Sequence, residues 1–512
     1  MKKIFLCLLS SLLLLLSFPK ISFWPLAWIS LVPLLSVISN EKPLKAFLYG
    51  ILTGIVFYCG ILYWIVPTFS AAGEPNIIGI LVLLLLAIYS ALYYGIFCLF
   101  YSKNFKHSLI LPAFLWVSLE LIRTHLFSGF PWASLGYSQW NFLPIIQISE
   151  FTGVYGVSFL IILVNVILVH SIQYTVYSLK DIGNKTQHTR FRIQNNITTA
   201  LIVLFCLGFG AIKLYNPSAT TSLADPPTTQ WRDNPRIVTI VQGNIDQYKK
   251  WDEKYQQEIE NIYSELSVSN SKNSDLIVWP ESSIPGFLRI DPKIYNWIKE
   301  LANKTKTQYL VSSNDFKDNK YYNSAFLISK QGEVIGEYSK VHLVPFGEYV
   351  PLRKTISKFI KVINEIGEFA PGEKYNALDS SAGKLGVNIC FESIFPNEIR
   401  KSINSGAEII VNVTNDAWYL KTSAPYQHFT MNIFRAVENR REVVRAANTG
   451  ISGFIDSYGR IKSKTEIFRT AALSDKIIPL NHITFYTKYG DIFSYLCLSI
   501  TILFLIIFFF KP

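Results

Sequence analysis

The sequence predicts two structural parts, a multi-pass α-helical membrane domain of about eight spans and an α/β domain that lies in water. The first observation is composition: 50% of the residues are hydrophobic and only 16% are charged, whereas a soluble domain is typically about 25% charged. The shortage of charge is concentrated in residues 1–215 and 491–510. The second observation is that residues 236–480 contain short β-branched runs separated by helical patterns, which is typical of layered α/β domains.

The membrane spans are predicted from the lengths of the apolar runs. A hydrocarbon core about 30 Å thick requires roughly 20 apolar residues in a helix. Such runs lie at residues 4–18, 21–39, 46–66, 76–100, 108–122, 150–175, 198–214 and 491–510. We therefore expect a seven-span transmembrane domain over residues 1–215 and a C-terminal transmembrane helix over residues 491–510.

Lysine and arginine are unevenly distributed among the loops that join these runs. One alternating set of loops holds Lys2, Lys3, Lys42, Lys45, Lys103, Lys106, Lys180, Lys185, Arg190, Arg192 and Lys511. The opposite set holds little more than Lys20 and Arg123. Because basic loops stay in the cytoplasm, both termini are expected there and the α/β domain outside. The net charge of +12 is thus explained by topology, and no nucleic-acid partner is expected, since such binding needs a basic face on a folded surface.

The α/β domain is expected to follow a polar, proline-rich linker over residues 216–235 and to occupy residues 236–480. β-Branched runs predict strands at Ile237–Val241, Leu276–Trp279, Tyr309–Ser312, Ala325–Ile328, Leu385–Cys390, Ile409–Val413 and Ile451–Ile455. Helical patterns lie at residues 251–267, 292–303, 397–404 and 428–446.

Cysteine usage singles out one residue of the α/β domain. Five of the six cysteines lie in predicted spans, and Cys390 is the only one in this domain. A disulfide within the domain is therefore excluded, although an oxidising compartment would favour one. Zinc-type Cys/His spacing is absent, so no metal site is expected. A lone thiol at a strand end is either a small buried hydrophobe or a nucleophile.

Three segments of the α/β domain carry a reactive side chain where a hydrophobic strand ends. They are Leu276–Ser282 with Glu281, Tyr338–Glu348 with Lys340, and Gly386–Glu392 with Cys390. Strand ends often carry catalytic groups, because the strand fixes the backbone while the following loop opens to the substrate.

These residue types are suited to acyl transfer through a covalent intermediate. A thiol is a weak nucleophile until it is deprotonated, and Glu281 is suited to take its proton as general base. Lys340 would favour the thiolate of Cys390 and stabilise the oxyanion of a tetrahedral intermediate. Glu348 and Glu392 are both candidates to orient Lys340 or to hydrogen-bond the reacting groups.

The same segments resemble the Glu-Lys-Cys triad of the nitrilase, or carbon–nitrogen hydrolase, superfamily. The matching motifs are Trp279-Pro280-Glu281, Lys340 before Pro345-Phe346-Gly347-Glu348, and Cys390-Phe391-Glu392. Over essentially the whole chain, the sequence looks like one membrane-bound branch, the apolipoprotein N-acyltransferases. The marks of that branch are Val241–Asn244, Lys250–Asp252, Gly347–Pro351, Asn415–Trp418, Gln427-His428, Gly129–Trp132, Leu135–Gln139, Gly153–Phe159 and Phe23–Pro25.

The resemblance implies a nitrilase-like α-β-β-α sandwich and a catalytic triad. Cys390 would be the nucleophile, Glu281 the general base and Lys340 the oxyanion stabiliser. Glu348 would assist the base and Lys340.

Three further residues would line or support the acyl site if the resemblance holds, namely Trp251, Phe391 and Glu392. The family often has tyrosine after the nucleophile, whereas this chain has Phe391. Phe391 has the aromatic ring but lacks the hydroxyl group, so the resemblance implies no role for a hydroxyl group at this position.

The resemblance also implies a two-step reaction that needs neither a cofactor nor a metal ion. A membrane phospholipid would acylate Cys390, and the α-amino group of the N-terminal diacylglyceryl-cysteine of a lipoprotein would then accept the acyl chain. The implied location is the bacterial cytoplasmic (inner) membrane, with the catalytic domain on the periplasmic, extracytoplasmic side. The expected state is a monomer.

Two other functions are compatible with parts of the sequence. A membrane-tethered nitrilase-type amidase acting on a small soluble amide would use the same triad, but it would need only one membrane anchor. A transporter or lipid-binding protein with a degenerate nitrilase fold would be expected to have lost a triad member, and this sequence keeps all three.

Overall fold

The structure is a computed structural model that describes residues 1–180, 185–215, 235–247, 249–351, 353 and 368–509. The chain divides into two compact units. The first comprises Met1–Thr221, Thr422–Thr430 and Tyr489–Pro512, and the second comprises Ser222–Lys421 and Met431–Lys488. Apart from Pro235, the predicted linker lies outside the described residues, and the predicted domain boundaries stay predictions.

The described residues of the first unit are mainly helical. Its α-helices are Lys2–Ser17, Val32–Ile38, Pro43–Ile61, Ile65–Ala71, Asn76–Phe100, Leu111–His125, Leu143–Ile146, Ser149–Thr152, Val154–Lys180, Lys185–Tyr215 and Ile492–Phe509. Trp24–Trp28 and Leu135–Gln139 form 3-10 turns, and Tyr101–Phe105 forms a π-helical turn. Proline occupies the first turn of Pro43–Ile61 and of Leu111–His125, where its missing N–H removes no helical hydrogen bond.

Four described helices are long and apolar enough to cross a membrane, at Pro43–Ile61, Asn76–Phe105, Val154–Thr175 and Ile197–Tyr215. They agree with four of the eight predicted spans. The remaining predicted spans coincide with shorter apolar elements, such as Lys2–Ser17 with 16 residues and Leu111–His125 with 15. At 1.5 Å per residue such helices are about 23 Å long, which is less than the hydrocarbon core of about 30 Å. The prediction of about eight spans is therefore not confirmed.

The second unit contains two six-stranded sheets. Along its described residues the strands are β1 Arg236–Gln242, β2 Leu276–Val278, β3 Gln308–Lys317, β4 Lys320–Ile328, β5 Val334–Ser339, β6 Ala377–Ser380, β7 Gly383–Ile389, β8 Ile409–Thr414, β9 Val443–Ala447, β10 Gly453–Ile455, β11 Ile461–Lys464 and β12 Ala471–Ile477. One sheet has the order β12-β1-β2-β3-β4-β5 and the other has the order β11-β10-β9-β8-β7-β6.

Each sheet has a parallel centre and antiparallel edges. β1, β2 and β3 are parallel, as are β7, β8 and β9. Parallel neighbours require a crossover connection, usually a helix. The crossover helices are Gln256–Asn270 and Pro292–Thr305 in the first sheet, and Pro396–Asn404 and Ala424–Asn439 in the second.

The core lies mainly between the sheets. Ile240 and Leu310 of the first sheet belong to one buried cluster with Val387 and Val411 of the second. Residues of the first two crossover helices complete another apolar cluster on the opposite face of the first sheet. This layering confirms the two-sheet, nitrilase-like α/β fold that was predicted.

One predicted element is wrong in part. Residues 428–446 were expected to be helical throughout, but the helix is Ala424–Asn439 and β9 follows at Val443–Ala447. Arg440 has a φ of 48°, a left-handed conformation that a continuing right-handed helix excludes. All five residues of β9 are buried, and a short apolar run of this kind cannot be distinguished from a buried helical turn by its periodicity.

Candidate active site

The three predicted catalytic side chains lie just beyond strands of the second unit. Glu281 comes three residues after the end of β2, while Lys340 and Cys390 directly follow β5 and β7. Cys390 has a φ of 53° and begins the 3-10 turn Cys390–Ile394. For a residue with a side chain, such a conformation costs on the order of 1–3 kcal/mol and is found mainly at functional sites.

Glu281 is buried and held at both carboxylate oxygens. The Asn323 side-chain amide donates to Oε1 at 2.8 Å, and the backbone N–H of Asn415 donates to Oε2 at 2.8 Å. The ammonium of Lys340 lies 3.6 Å from Oε1. The structure therefore brings together two residues that are 59 positions apart in the sequence (340 − 281).

Lys340 is a buried ammonium between two carboxylates. Both oxygens of Glu348 lie 2.9 Å from Nζ. Burial by itself lowers the pKa of Lys340, but the charges of Glu348 and Glu281 outweigh it and raise the pKa well above the ordinary value. Lys340 is therefore charged throughout the physiological range.

Of the two candidate partners of Lys340, Glu348 and Glu392, the structure shows that Glu348 makes the direct contact. Its Oε2 also accepts the backbone N–H of Val344 at 2.8 Å. Glu392 instead accepts the hydroxyl of Tyr338 at 2.8 Å and the backbone N–H groups of Val341 and Ile389, each at 2.7 Å. Glu392 thus ties the segment after β5 to the end of β7.

Cys390 lies within electrostatic range of both Glu281 and Lys340. The residue is partly exposed. Desolvation by the surrounding protein raises the pKa of its thiol well above the ordinary value, Glu281 raises it further, and Lys340 opposes both effects. The resting residue is therefore a thiol, which needs a base at the moment of attack.

Asn323 is a site residue that no pattern in the sequence predicted. Its side-chain nitrogen donates to Glu281 Oε1 at 2.8 Å and to Glu348 Oε1 at 2.9 Å, and so uses both hydrogens. Its backbone carbonyl accepts the N–H of Lys340 at 2.8 Å. Asn323 lies within β4, and only the pairing of β4 with β5 brings it to the site.

A second feature missed by sequence reasoning is the buried ion pair of Asp416 and Arg445, of which Asp416 is within electrostatic range of Cys390. Asp416 and Arg445 are fully buried, with 2.9 Å between Oδ2 and Nη2. The Asp416 charge contributes to the raised pKa of Cys390. A Cβ atom at Gly450 would overlap the Asp416 carboxylate, so a glycine is required there. The Asn415–Trp418 motif was recognised in the sequence, but its buried partner was not.

The remaining predicted site residues differ in exposure. Trp251 is 48% exposed at the end of the 3-10 turn Lys249–Trp251. Phe391 is buried, and its ring centroid lies 5.2 Å from that of Phe395 and 5.9 Å from that of His342. Their predicted roles at an acyl site stay predictions.

This arrangement contains the groups for thiol-based acyl transfer. Glu281 is a fixed carboxylate that can take a proton, Lys340 is a fixed cation that can bind an oxyanion, and Cys390 is a partly exposed thiol. Glu348 and Asn323 hold the first two in place.

Two family descriptions match the sequence. Residues 10–167 match the apolipoprotein N-acyltransferase N-terminal domain, and residues 237–478 match carbon-nitrogen hydrolase. The two matches correspond to the helical unit and to the two-sheet unit.

Curated relatives match over nearly the full length. The apolipoprotein N-acyltransferase of Geobacter metallireducens is 41% identical over 501 residues, which cover 96% of this chain and 92% of the relative. The apolipoprotein N-acyltransferase of Haemophilus influenzae is 29% identical, with 98% and 93% covered. Apolipoprotein N-acyltransferase 1 of Treponema denticola is 30% identical, with 93% and 90% covered.

Proposed function

Since the chain belongs to the apolipoprotein N-acyltransferase family and is an acyltransferase of lipoprotein biosynthesis, we propose that it works by a ping-pong mechanism through a thioester on Cys390. The donor is a membrane phospholipid, and the acceptor is the α-amino group of the N-terminal diacylglyceryl-cysteine of a lipoprotein. The observation that carries this proposal is the 3.6 Å contact of Glu281 with Lys340, both within electrostatic range of the Cys390 thiol.

In the first half-reaction, Cys390 attacks an ester carbonyl of the phospholipid. Glu281 accepts the thiol proton as the S–C bond forms, and Lys340 donates an N–H to the resulting oxyanion. The C–O bond to glycerol then breaks. Glu281 returns the proton to the glycerol oxygen, and a lysophospholipid leaves the thioester.

In the second half-reaction, the neutral α-amine of the acceptor attacks the thioester carbonyl. Lys340 again stabilises the oxyanion. Glu281 takes a proton from the nitrogen and passes it to sulfur as the C–S bond breaks. The products are an amide on the acceptor and the restored thiol, so one base serves both steps.

The supporting residues have distinct proposed roles. Glu348 keeps Lys340 charged and fixes the orientation of its ammonium group, because Glu348 is the carboxylate in direct contact with that group. Glu392 positions the segment that carries Lys340 through its bonds to Tyr338 and to the backbone. Trp251 and Phe391 are proposed to contact the acyl chain.

The membrane setting of the proposal follows from the loops. We propose eight spans, both termini in the cytoplasm and the second unit on the extracytoplasmic side, because basic residues alternate between loop sets. A C-terminal epitope should then be accessible only from the cytoplasmic side. A monomer suffices, since the proposed catalytic residues all come from one chain.

Both proposed substrates are anchored in the membrane, which is a physical reason for the catalytic domain to be attached to membrane spans. Confining donor, acceptor and thiol to one surface raises their effective concentration. An amidase with a small soluble substrate would gain nothing from this confinement.

The test uses the full-length protein in detergent with a phospholipid that carries a labelled acyl chain. Intact mass should increase by the mass of one fatty acid minus water, and Cys390→Ala should show no such increase. Addition of a diacylglyceryl lipopeptide with a free amine should remove the adduct and acylate the peptide.

Other outcomes would support the alternatives. Release of ammonia from small amides without acyl transfer would indicate a membrane-tethered amidase. Complete lipoprotein maturation in cells that make only Cys390→Ala would indicate a non-enzymatic role for the domain.

A further inference from the structure

His342 lies two residues after Lys340, and its ring is held by two contacts. Nδ1 lies 2.5 Å from Oε1 of Glu398, and because an ionised carboxylate only accepts hydrogen bonds, Nδ1 is the donor. The ring is stacked on that of Phe395, with 4.0 Å between the centroids and 21° between the planes. A hydrogen bond at one ring nitrogen and a stacked neighbour together fix the position and the rotation of the imidazole.

The backbone of His342 is attached to the turn that carries the nucleophile. Oε1 of Glu392 accepts the backbone N–H of His342 at 3.1 Å, and Oε2 accepts the backbone N–H of Ile389 at 2.7 Å. Glu392 itself lies in the 3-10 turn Cys390–Ile394. Both the main chain and the side chain of His342 are therefore fixed relative to this turn.

The ring of Phe391 packs against the same two rings. Its centroid lies 5.2 Å from that of Phe395, with 76° between the planes, and 5.9 Å from that of His342, with 65° between the planes. Both pairs are edge-to-face, an arrangement that aromatic rings favour. Phe391, His342 and Phe395 thus form one aromatic cluster, and Glu398 anchors it through the hydrogen bond to His342.

The position of the Phe391 ring depends on these neighbours. Phe391 directly follows Cys390 in the chain and is buried. Its ring carries no polar atom that a hydrogen bond could hold, so packing against other side chains has to fix it. A contact between this ring and an acyl chain on the Cys390 sulfur would fall on the carbons near the carbonyl, because the two residues are adjacent.

We propose that His342 and Glu398 hold the Phe391 ring in one position beside the acylated Cys390, so that the site selects acyl chains that are unbranched near the carbonyl. The inference deepens the proposed function and rests on the thioester at Cys390 and on the contact of Phe391 with the acyl chain. His342 and Glu398 are positioning residues, since they act through Phe391.

A fixed ring selects by shape, whereas a ring that can move aside does not. In an apolar pocket, one extra methylene group changes the preference of an enzyme by about 10- to 200-fold. A methyl branch that meets a fixed Phe391 ring should be rejected on this scale. Loss of the contacts that hold the ring should reduce the rejection.

The test is a competition between two phospholipid donors on the full-length protein in detergent, read from the intact mass of the thioester. The donors share one head group, but one has straight acyl chains and the other has a methyl branch at C3. Wild type should favour the straight chain by at least about tenfold, and His342→Ala should lower this ratio by at least about threefold. Because each sample contains both donors, loss of folded protein does not change the ratio.

Two further variants separate the hydrogen bond from the stacking. His342→Phe keeps a ring next to Phe395 but loses the bond to Glu398, so it should also lower the ratio. Glu398→Gln keeps an acceptor for Nδ1 and should retain the wild-type ratio. His342→Phe decides the question if His342→Ala does not fold.

Two controls show where the selection acts. Lys401→Ala changes an exposed residue of the same helix as Glu398, Pro396–Asn404, and should retain the wild-type ratio. A third donor with its methyl branch at the far end of the chain should compete equally well with the straight chain in wild type and in every variant.

Three results would overturn the inference. The first is equal use of the straight and C3-branched donors by wild type. The second is a slower reaction with an unchanged ratio in both His342 variants, which would indicate only a structural role. The third is a lowered ratio in Phe391→Leu with an unchanged ratio in both His342 variants, which would leave the selection to Phe391 alone. Failure of the proposed function is distinct from these, since wild type would then form no adduct on Cys390 with any donor.

Discussion

Asn323→Asp is the sharpest test of the site geometry, because it replaces a donor by an acceptor without changing volume. The Asn323 nitrogen donates to Glu281 at 2.8 Å and to Glu348 at 2.9 Å. An aspartate would place a third carboxylate between the two. Two unit charges about 4 Å apart interact by about 4 kcal/mol at an effective dielectric constant of 20, so the two contacts together cost about 8 kcal/mol.

Uptake of one proton relieves most of this repulsion at lower cost. Protonating a carboxylate of ordinary pKa at pH 7 costs about 4 kcal/mol, which is less than the repulsion. We therefore expect the Asn323→Asp protein to bind one extra proton at neutral pH. That proton is shared with Glu281, which can then no longer act freely as a base.

The assay is the single-turnover rate of acyl-thioester formation on Cys390, followed by intact mass. Asn323→Asp should be slower by at least about 100-fold at pH 7 and should recover in part towards pH 9, as the extra proton is released. The matched control is Asn303→Asp, because Asn303 is a half-buried residue of the Pro292–Thr305 helix whose side chain donates to the carbonyl of Lys299 and contacts no carboxylate among the described residues. An Asn323→Asp rate equal to that of the control at pH 7 would refute the hydrogen-bonded arrangement of the two carboxylates.

Further variants test other contacts. Glu348→Gln should slow thioester formation by about 10- to 100-fold, since it removes a charged partner worth about 1.5–3 kcal/mol from Lys340, and the same mass assay measures it. Tyr338→Phe should lower stability by about 2 kcal/mol, because Glu392 loses one charged hydrogen bond, with melting temperature as the measurement and an unchanged value as the contrary result. Lys250→Met should be more stable than wild type by up to about 3 kcal/mol at pH 7, because folding lowers the pKa of Lys250 from 10.5 to about 8. Between about pH 8 and 10.5 the folded protein has released this proton while the unfolded chain still holds it, so the free energy of unfolding of the wild type rises across this window. Urea unfolding at pH 8 and at pH 10.5 should therefore show a smaller stability difference between wild type and Lys250→Met at the higher pH.

Much of the two-sheet unit was predictable because buried parallel strands have a strong local signal. The runs at Ile237–Val241, Tyr309–Ser312 and Ile409–Val413 all fall within observed strands. The weaker strands were not predicted, since β11 and β12 alternate between partly buried and exposed residues and contain lysine or aspartate. Their position is set by pairing with β10 and β1, which is a non-local interaction.

The residues of the candidate site also differ in how far the sequence could predict them. Glu281, Lys340 and Cys390 were singled out because each follows a hydrophobic strand and has a chemically suited type. Asn323 has ordinary surface character in the sequence, and nothing local distinguishes it from the other asparagines.

The class of each unit and the three side chains proposed for catalysis were predictable from the amino-acid sequence, because hydrophobic periodicity and reactive residue types are local properties of the chain. The folded structure was needed to show that Glu348 rather than Glu392 contacts Lys340, and that Asn323 joins Glu281 and Glu348. Hydrogen bonds act over about 3 Å, and which groups come that close depends on the register of strands such as β4 and β5, which no local pattern encodes.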